Sequence, residues 1–185
     1  MSAPPPGVPE DQLGAVGEIV DALRALGLHP VLIGGMALVV LGSRRVTRDF
    51  DLVIARPGER LAEVVVLLYD RGLELVSRLD EAGDIRSTIS NRRVAVARLR
   101  LDAPASASFY DPKGGLRIDL LFDFPLAAAA LTENATAMRI RSHRFLVASE
   151  ADLLRLKKIA REKRAAPGDL EDIAFLESRL RAAGS

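Results

Sequence analysis

The segment from Leu32 to Ile54, Leu-Ile-Gly-Gly-Met-Ala-Leu-Val-Val-Leu-Gly-Ser-Arg-Arg-Val-Thr-Arg-Asp-Phe-Asp-Leu-Val-Ile, constrains the fold more than any other part of the chain. Val31-Leu32-Ile33 reads as a buried strand. Gly34-Gly35 breaks it, and Met36 to Leu41 resumes as a short helix. Asp49 to Ile54 then alternates, with Phe50, Leu52 and Ile54 on one face and Asp49, Asp51 and Val53 on the other, which is the period of a strand. Carboxylates at i and i+2 project from the same face and repel strongly unless a cation sits between them. Hard oxygen ligands of this kind suit Mg²⁺ or Mn²⁺. At the strand–helix junction, Gly34 and Gly35 leave backbone N–H groups free and let a phosphate approach with no Cβ in the way.

A third carboxylate would complete a two-metal site. Asp119, in Leu116-Arg-Ile-Asp-Leu-Leu-Phe122, sits in mid-strand within an apolar run, where a lone Asp is costly unless paired or metal-bound. Arg117 and Arg100 are its alternative partners. Asp123 falls on the same strand face and competes with Asp119 as the third ligand, but its place near the strand end fits an ordinary solvated residue.

The remaining punctuation predicts the other elements. Glu10 to Leu28 and Glu59 to Arg71 show helical spacing of apolar residues, with Gly27 as a stop for the first. Leu73 to Leu79 is expected to be a strand, and Asp80 to Arg92 carries no clear period. Val94 to Leu101 alternates and reads as a strand, as does Leu116 to Phe122, with a strong turn at Asp111-Pro-Lys-Gly-Gly115 between them. Met138 to Val147 reads as a hairpin. Ser149 to Arg164 opens with a Ser-x-x-Asp start and runs as a helix, and Pro167 to Leu180 forms another, with proline in its first turn. The expected fold is α/β (α+β): a mixed sheet flanked by helices, with a helical C-terminal part. Residues 1–9 are expected to be a poorly ordered leader, 10–132 a core, and 133–185 a hairpin and helices that complete the cleft.

Composition removes most rival chemistries. A chain of 185 residues is one domain, and it has no cysteine, which excludes disulfide scaffolds, thiolate metal sites and thiol nucleophiles. Two histidines leave no histidine-rich metal site, so carboxylates, hydroxyls, Lys and Arg remain. The 26 basic and 25 acidic residues rule out a polybasic coat. The longest apolar run, Val31 to Gly42, is 12 residues, too short for a bilayer span, and the start lacks an export signal; a cytoplasmic location and no membrane partner are expected.

Gly34-Gly35, thirteen intervening residues, then Asp49-Phe-Asp51, with a later strand carrying Asp119, resembles the nucleotidyltransferase superfamily of the polymerase-β type. The longer string through Arg45-Val-Thr47-Arg48-Asp49-Phe-Asp51-Leu is similar to its AbiEii-type branch, known for toxins of toxin–antitoxin systems. Leu156-Lys157-x-x-Ala160-x-x-x-Arg164, then Asp169-Leu-x-Asp172, is similar to that branch's C-terminal helices. Many relatives have Gly-Ser where this chain has Gly34-Gly35, so a hydroxyl contact to phosphate is missing. The resemblance implies a two-metal, pyrophosphate-releasing enzyme that moves a nucleoside monophosphate from a nucleoside triphosphate to an acceptor hydroxyl. It implies that Asp49, Asp51 and Asp119 hold Mg²⁺ or Mn²⁺, and that Asp119 helps deprotonate the acceptor. It implies that Lys157 contacts the triphosphate, that Thr47 orients Asp49, and that Asp169 or Asp172 holds Lys157 or Arg164. Arg44, Arg45 and Arg48 would lie beside the metal site.

The expected acceptor is RNA such as tRNA, with a cognate antitoxin as partner. A protein or small-molecule acceptor is the alternative enzyme reading, and an inactive nucleotide- or RNA-binding module of the same fold is the alternative outside catalysis. Arg139-Ile-Arg141-Ser-His143-Arg144 reads either as a grip on RNA phosphates or as an exposed hairpin face.

Overall fold

The computed structural model describes residues 10–163, 166 and 168–184. The leader 1–9, Arg164 and Pro167 lie outside the described residues. In chain order the elements are α1 (Glu10–Ala25), β1 (Val31–Ile33), α2 (Gly34–Val40), β2 (Asp49–Ile54), a 3₁₀ turn (Gly58–Arg60), α3 (Leu61–Tyr69), β3 (Glu74–Leu79), β4 (Ile85–Ile89), α4 (Arg92–Asp102), β5 (Ser106–Tyr110), β6 (Arg117–Phe122), α5 (Ala128–Asn134), β7 (Thr136–Ile140), β8 (His143–Val147), α6 (Glu150–Lys163) and α7 (Asp169–Ala183).

The strands form one eight-stranded sheet in the order β4-β3-β5-β6-β2-β1-β8-β7. Two neighbour pairs are parallel, β2 with β6 and β1 with β8. The rest are antiparallel. A mixed sheet flanked by helices is the architecture that the alternating apolar runs called for.

Burial follows the strand period. Phe50, Leu52 and Ile54 of β2 lie beside Ile118, Leu120 and Phe122 of β6, register partner by register partner, and all six are buried. That face makes the core. On the opposite face the same register sets Asp49 beside Arg117, Asp51 beside Asp119 and Val53 beside Leu121. The alternation that buries one face thereby aligns the charged residues on the other. Above the junction of β1 and β2, α2 is almost wholly buried, with Met36, Ala37 and Leu38 inaccessible to solvent.

One expected strand is a helix. Val94 to Leu101 lies within α4, not in the sheet. Its alternation competes with a second spacing: Ala95 and Leu99, four apart, are buried together, as one face of a helix requires. The Asn91 side chain accepts from the N–H groups of Arg93 at 2.9 Å and Val94 at 3.3 Å, a helix N-cap that the alternating pattern concealed. Val94 and Leu101, which as a strand would lie on opposite faces with one of them inward, are 52% and 84% exposed. The strand before the Asp111–Gly115 turn is instead β5, where Ala107 and Phe109 are buried and Ser106, Ser108 and Tyr110 face away. The unassigned stretch supplies β4, and α5 was not foreseen.

Leu99→Ala is expected to cost about 2–4 kcal/mol by urea denaturation. Val94→Lys and Leu101→Lys are expected to change stability by no more than about 0.5 kcal/mol, an outcome incompatible with an inward-facing strand there.

Candidate active site

Gly34 begins the site. It ends β1 at φ +67°, in the left-handed region that glycine adopts without strain, and Ile33 before it is the register partner of Asp51. A Cβ at Gly34 would stand 2.0 Å from Oδ2 of Asp51, so the chain turns directly against that carboxylate. Gly35 plays a similar part for the loop after α2, since a Cβ there would meet the Arg45 guanidinium carbon at 2.9 Å.

Asp49, Asp51 and Asp119 share one face of the two central strands. Asp51 is the most deeply set. Its burial, then the charges of Asp119 and Asp49, push its pKa up to about 7, against a weaker opposing pull from Lys157 and Arg117. Asp49 is also raised, mainly by burial. Burial and the neighbouring acids outweigh the nearby cations and destabilise the charged form of both carboxylates. Among the described residues, no three His, Asp or Glu side chains close into a ready-made metal shell. The carboxylate of Asp119 is turned to Arg117, whose Nε and Nη2 donate to its two oxygens at 3.1 and 3.3 Å. Asp123 has a different role: at φ +51° it accepts from the backbone N–H groups of Arg56 and Ala128, both at 2.9 Å, and builds the turn after β6.

The opposite wall comes from α6 and α7. Lys157 Nζ lies 2.7 Å from Asp172 Oδ2 and 3.4 Å from Asp169 Oδ1. Asp169 and Asp172 are the buried charged residues among those described, 7% and 4% exposed. Asp172 also accepts from Arg45, which reaches it across 127 residues of sequence. Arg45 Nε is buried without a hydrogen-bond partner. Of the two acceptors proposed for Lys157, both are engaged. The cleft enclosed between the carboxylate face and α6 measures about 1070 Å³.

Gly34, Gly35, Thr47, Arg48, Asp49, Asp51, Asp119, Lys157 and Asp169 all line this cleft, and Asp172 is buried at its wall. Its lining also includes Tyr110 and Phe124, which were not singled out beforehand, and Arg117, which was expected as an alternative partner of Asp119 and is paired with it. Arg117 was legible: two residues before Asp119 in a strand, it must share that residue's face. Arg139, Arg141 and Arg144 are not among the lining residues; they sit on the hairpin at one edge of the sheet, where His143 Nδ1 meets Asp21 at 2.6 Å.

No family model matches the sequence. Solved structures do match the fold. A nucleotidyltransferase-like antigenic protein from Paracoccidioides brasiliensis is 18% identical over 91% of this chain and 77% of its own, with a TM-score of 0.59. A lincosamide antibiotic adenylyltransferase, solved with lincomycin, is 14% identical over 93% of this chain and 98% of its own, with a TM-score of 0.58. The antibiotic-resistance factor ANT(2'')-Ia, solved with adenylyl-2''-tobramycin, is 16% identical over 94% and 92%, with a TM-score of 0.56. The chain has the nucleotidyltransferase fold. Among the described residues no helix is long and apolar enough to cross a membrane.

Gly34→Ala is expected to destabilise the chain by more than about 1 kcal/mol, through both backbone strain and contact with Asp51, as read by thermal denaturation. The raised pKa of Asp51 predicts a pH dependence in metal-free buffer. Between its ordinary value of 3.8 and about 7, the folded chain keeps a proton that the unfolded chain releases, so this group makes stability fall as pH rises across that window. Asp51→Asn is expected to remove a slope of up to about 1.4 kcal/mol per pH unit, measured as the difference between the two stability profiles.

Proposed function

We propose that the chain is a metal-dependent nucleotidyltransferase that joins a nucleoside monophosphate to an acceptor hydroxyl and releases pyrophosphate. The observation that carries the reading is the in-register pair of Asp51 and Asp119, faced by Lys157 and set against the turn at Gly34. The donor set fits Mg²⁺ or Mn²⁺: three carboxylates share a face, and burial with the neighbouring acids destabilises the charge of the innermost. Asp49, Asp51 and Asp119 would hold the cation, which when bound supplies Lewis acidity at the phosphoryl group and charge relief for the attacking and leaving oxygens.

The protein's own groups do the rest. Gly34 and Gly35 admit phosphate oxygens close to the backbone. Lys157 presents a point charge to the triphosphate, and Asp169 and Asp172 fix its position. Thr47 and Arg48 flank Asp49. The acceptor oxygen attacks the α-phosphorus, its proton passes to Asp119, the bond to the pyrophosphate oxygen breaks, and pyrophosphate leaves.

For the acceptor, the sequence resemblance to the AbiEii-type branch favours RNA such as tRNA, in a toxin–antitoxin setting with a cognate antitoxin. The lincomycin and adenylyl-tobramycin complexes of the fold neighbours favour a second reading, a small hydroxylated acceptor.

Purified chain with labelled nucleoside triphosphates and Mg²⁺ is expected to label tRNA, and Asp49→Ala to lower the rate by about 10³-fold. Reversing the charges of Arg139, Arg141 and Arg144 is expected to weaken labelling of RNA and leave a small acceptor unaffected. Wild-type chain that labels no RNA, protein or small hydroxylated compound would end the enzymatic reading in favour of a binding module.

A further inference from the structure

Arg117 stands among the carboxylates in a way that the proposed chemistry does not use. Its guanidinium grips both oxygens of Asp119, and Nη2 also lies 3.5 Å from the Ser108 hydroxyl. Across the sheet it is the register partner of Asp49 on one side and Tyr110 on the other. Its side chain and that of Asp119 are each 20% exposed, so the pair is shielded from full solvation. The neighbouring charges of Asp119, Asp49 and Asp51 raise its pKa above the ordinary arginine value despite burial. Lys157, the other cation that acts on Asp51, is committed to Asp169 and Asp172. Among the described residues, Arg117 is therefore the cation that forms an ion pair with a member of the trio, Asp119.

That pairing conflicts with a bound metal. A forked arginine occupies the same carboxylate oxygens that a divalent ion would take, and the planar guanidinium cannot be displaced by losing its proton. Strand geometry keeps the conflict in place. Arg117 and Asp119 are i and i+2 of one strand, so they share a face in any register and only a side-chain rotation parts them.

We propose that Arg117 is a resident counter-cation of the acidic trio, holding Asp119 in the metal-free chain and releasing it when a divalent ion enters. Resting on the metal-dependent reading above, this makes Arg117 a positioning residue that sets the threshold of metal occupancy. It keeps three neighbouring carboxylates tolerable without metal, and it weakens metal binding by competing for one ligand.

The test is Mn²⁺ titration of the full chain without nucleotide, read by electron paramagnetic resonance, for wild type, Arg117→Met, Arg117→Lys and Asp51→Asn. Arg117→Met is expected to bind Mn²⁺ about tenfold or more tightly than wild type, because the charge-assisted fork no longer competes. Arg117→Lys keeps the charge but cannot span both oxygens, so it is expected to fall between the two. Arg117→Met is also expected to melt lower than wild type without metal and to recover more on adding Mn²⁺. A purely structural role would lower the melting temperature and leave the Mn²⁺ affinity in place. Affinity unchanged within twofold, or weakened, in both variants overturns the proposal while Asp51→Asn, if it abolishes binding, leaves the metal reading standing. Tighter binding in Arg117→Met with Arg117→Lys equal to wild type also overturns it, since distant charge alone would then act. No Mn²⁺ binding in wild type or either Arg117 variant overturns the metal reading and this inference together.

Discussion

The parallel pairing of β2 with β6 is the constraint on which the site depends. It is an in-register ladder from Asp49↔Arg117 to Ile54↔Phe122. The ladder buries Phe50, Leu52, Ile118 and Leu120 completely on one side. A slip of one residue would exchange these with Asp51 and Asp119, placing carboxylates in the core, so the hydrophobic face locks the register. The acidic face needs no separate instruction. It is the necessary reverse of a well-packed one, and its electrostatic cost is borne by the strength of the packing behind it.

The second supporting device is ionic and spans the chain. Asp172 of α7 takes both Lys157 of α6 and Arg45 of the loop after α2. Arg45 in turn lies against Gly35, so the helical wall and the strand–turn–helix segment are tied through one buried carboxylate. Breaking one partner of such an arrangement leaves an uncompensated buried charge, which is more harmful than losing the attraction alone. The sheet thus aligns the acids, and this network fixes the cation that faces them.

Much of this was legible in the sequence, for physical reasons that differ by residue. Asp49 to Ile54 has a period of two with no competing signal, and its bounds match β2. Gly34-Gly35 could be read as a break in the strand, and the structure uses both: Gly34 for its positive φ and the approach of Asp51, Gly35 for the approach of Arg45. Asp119 drew notice as a charge within an apolar run. Val94 to Leu101 misled because alternation and helical spacing coincide there, and the deciding cap, Asn91, lies before the run. Ser106–Tyr110 carries only Ala107 and Phe109 as inward residues, too weak a pattern to separate from a loop. The link from Arg45 to Asp172 has no local signature at all. Asp119 was preferred to Asp123 from its place in mid-strand, but the two backbone N–H groups that Asp123 accepts are supplied only by the folded turn.

The reach of Asp172 back to Arg45 bears on biosynthesis. Every strand of the sheet precedes α7 in the chain, so a growing polypeptide can assemble the carboxylate face before Asp172 has left the ribosome. Until then Lys157 and Arg45 have lost their shared anchor, and the wall opposite the acids is unset. The nascent chain would therefore hold its acidic face before it holds the ion pairs that fix Lys157 opposite it.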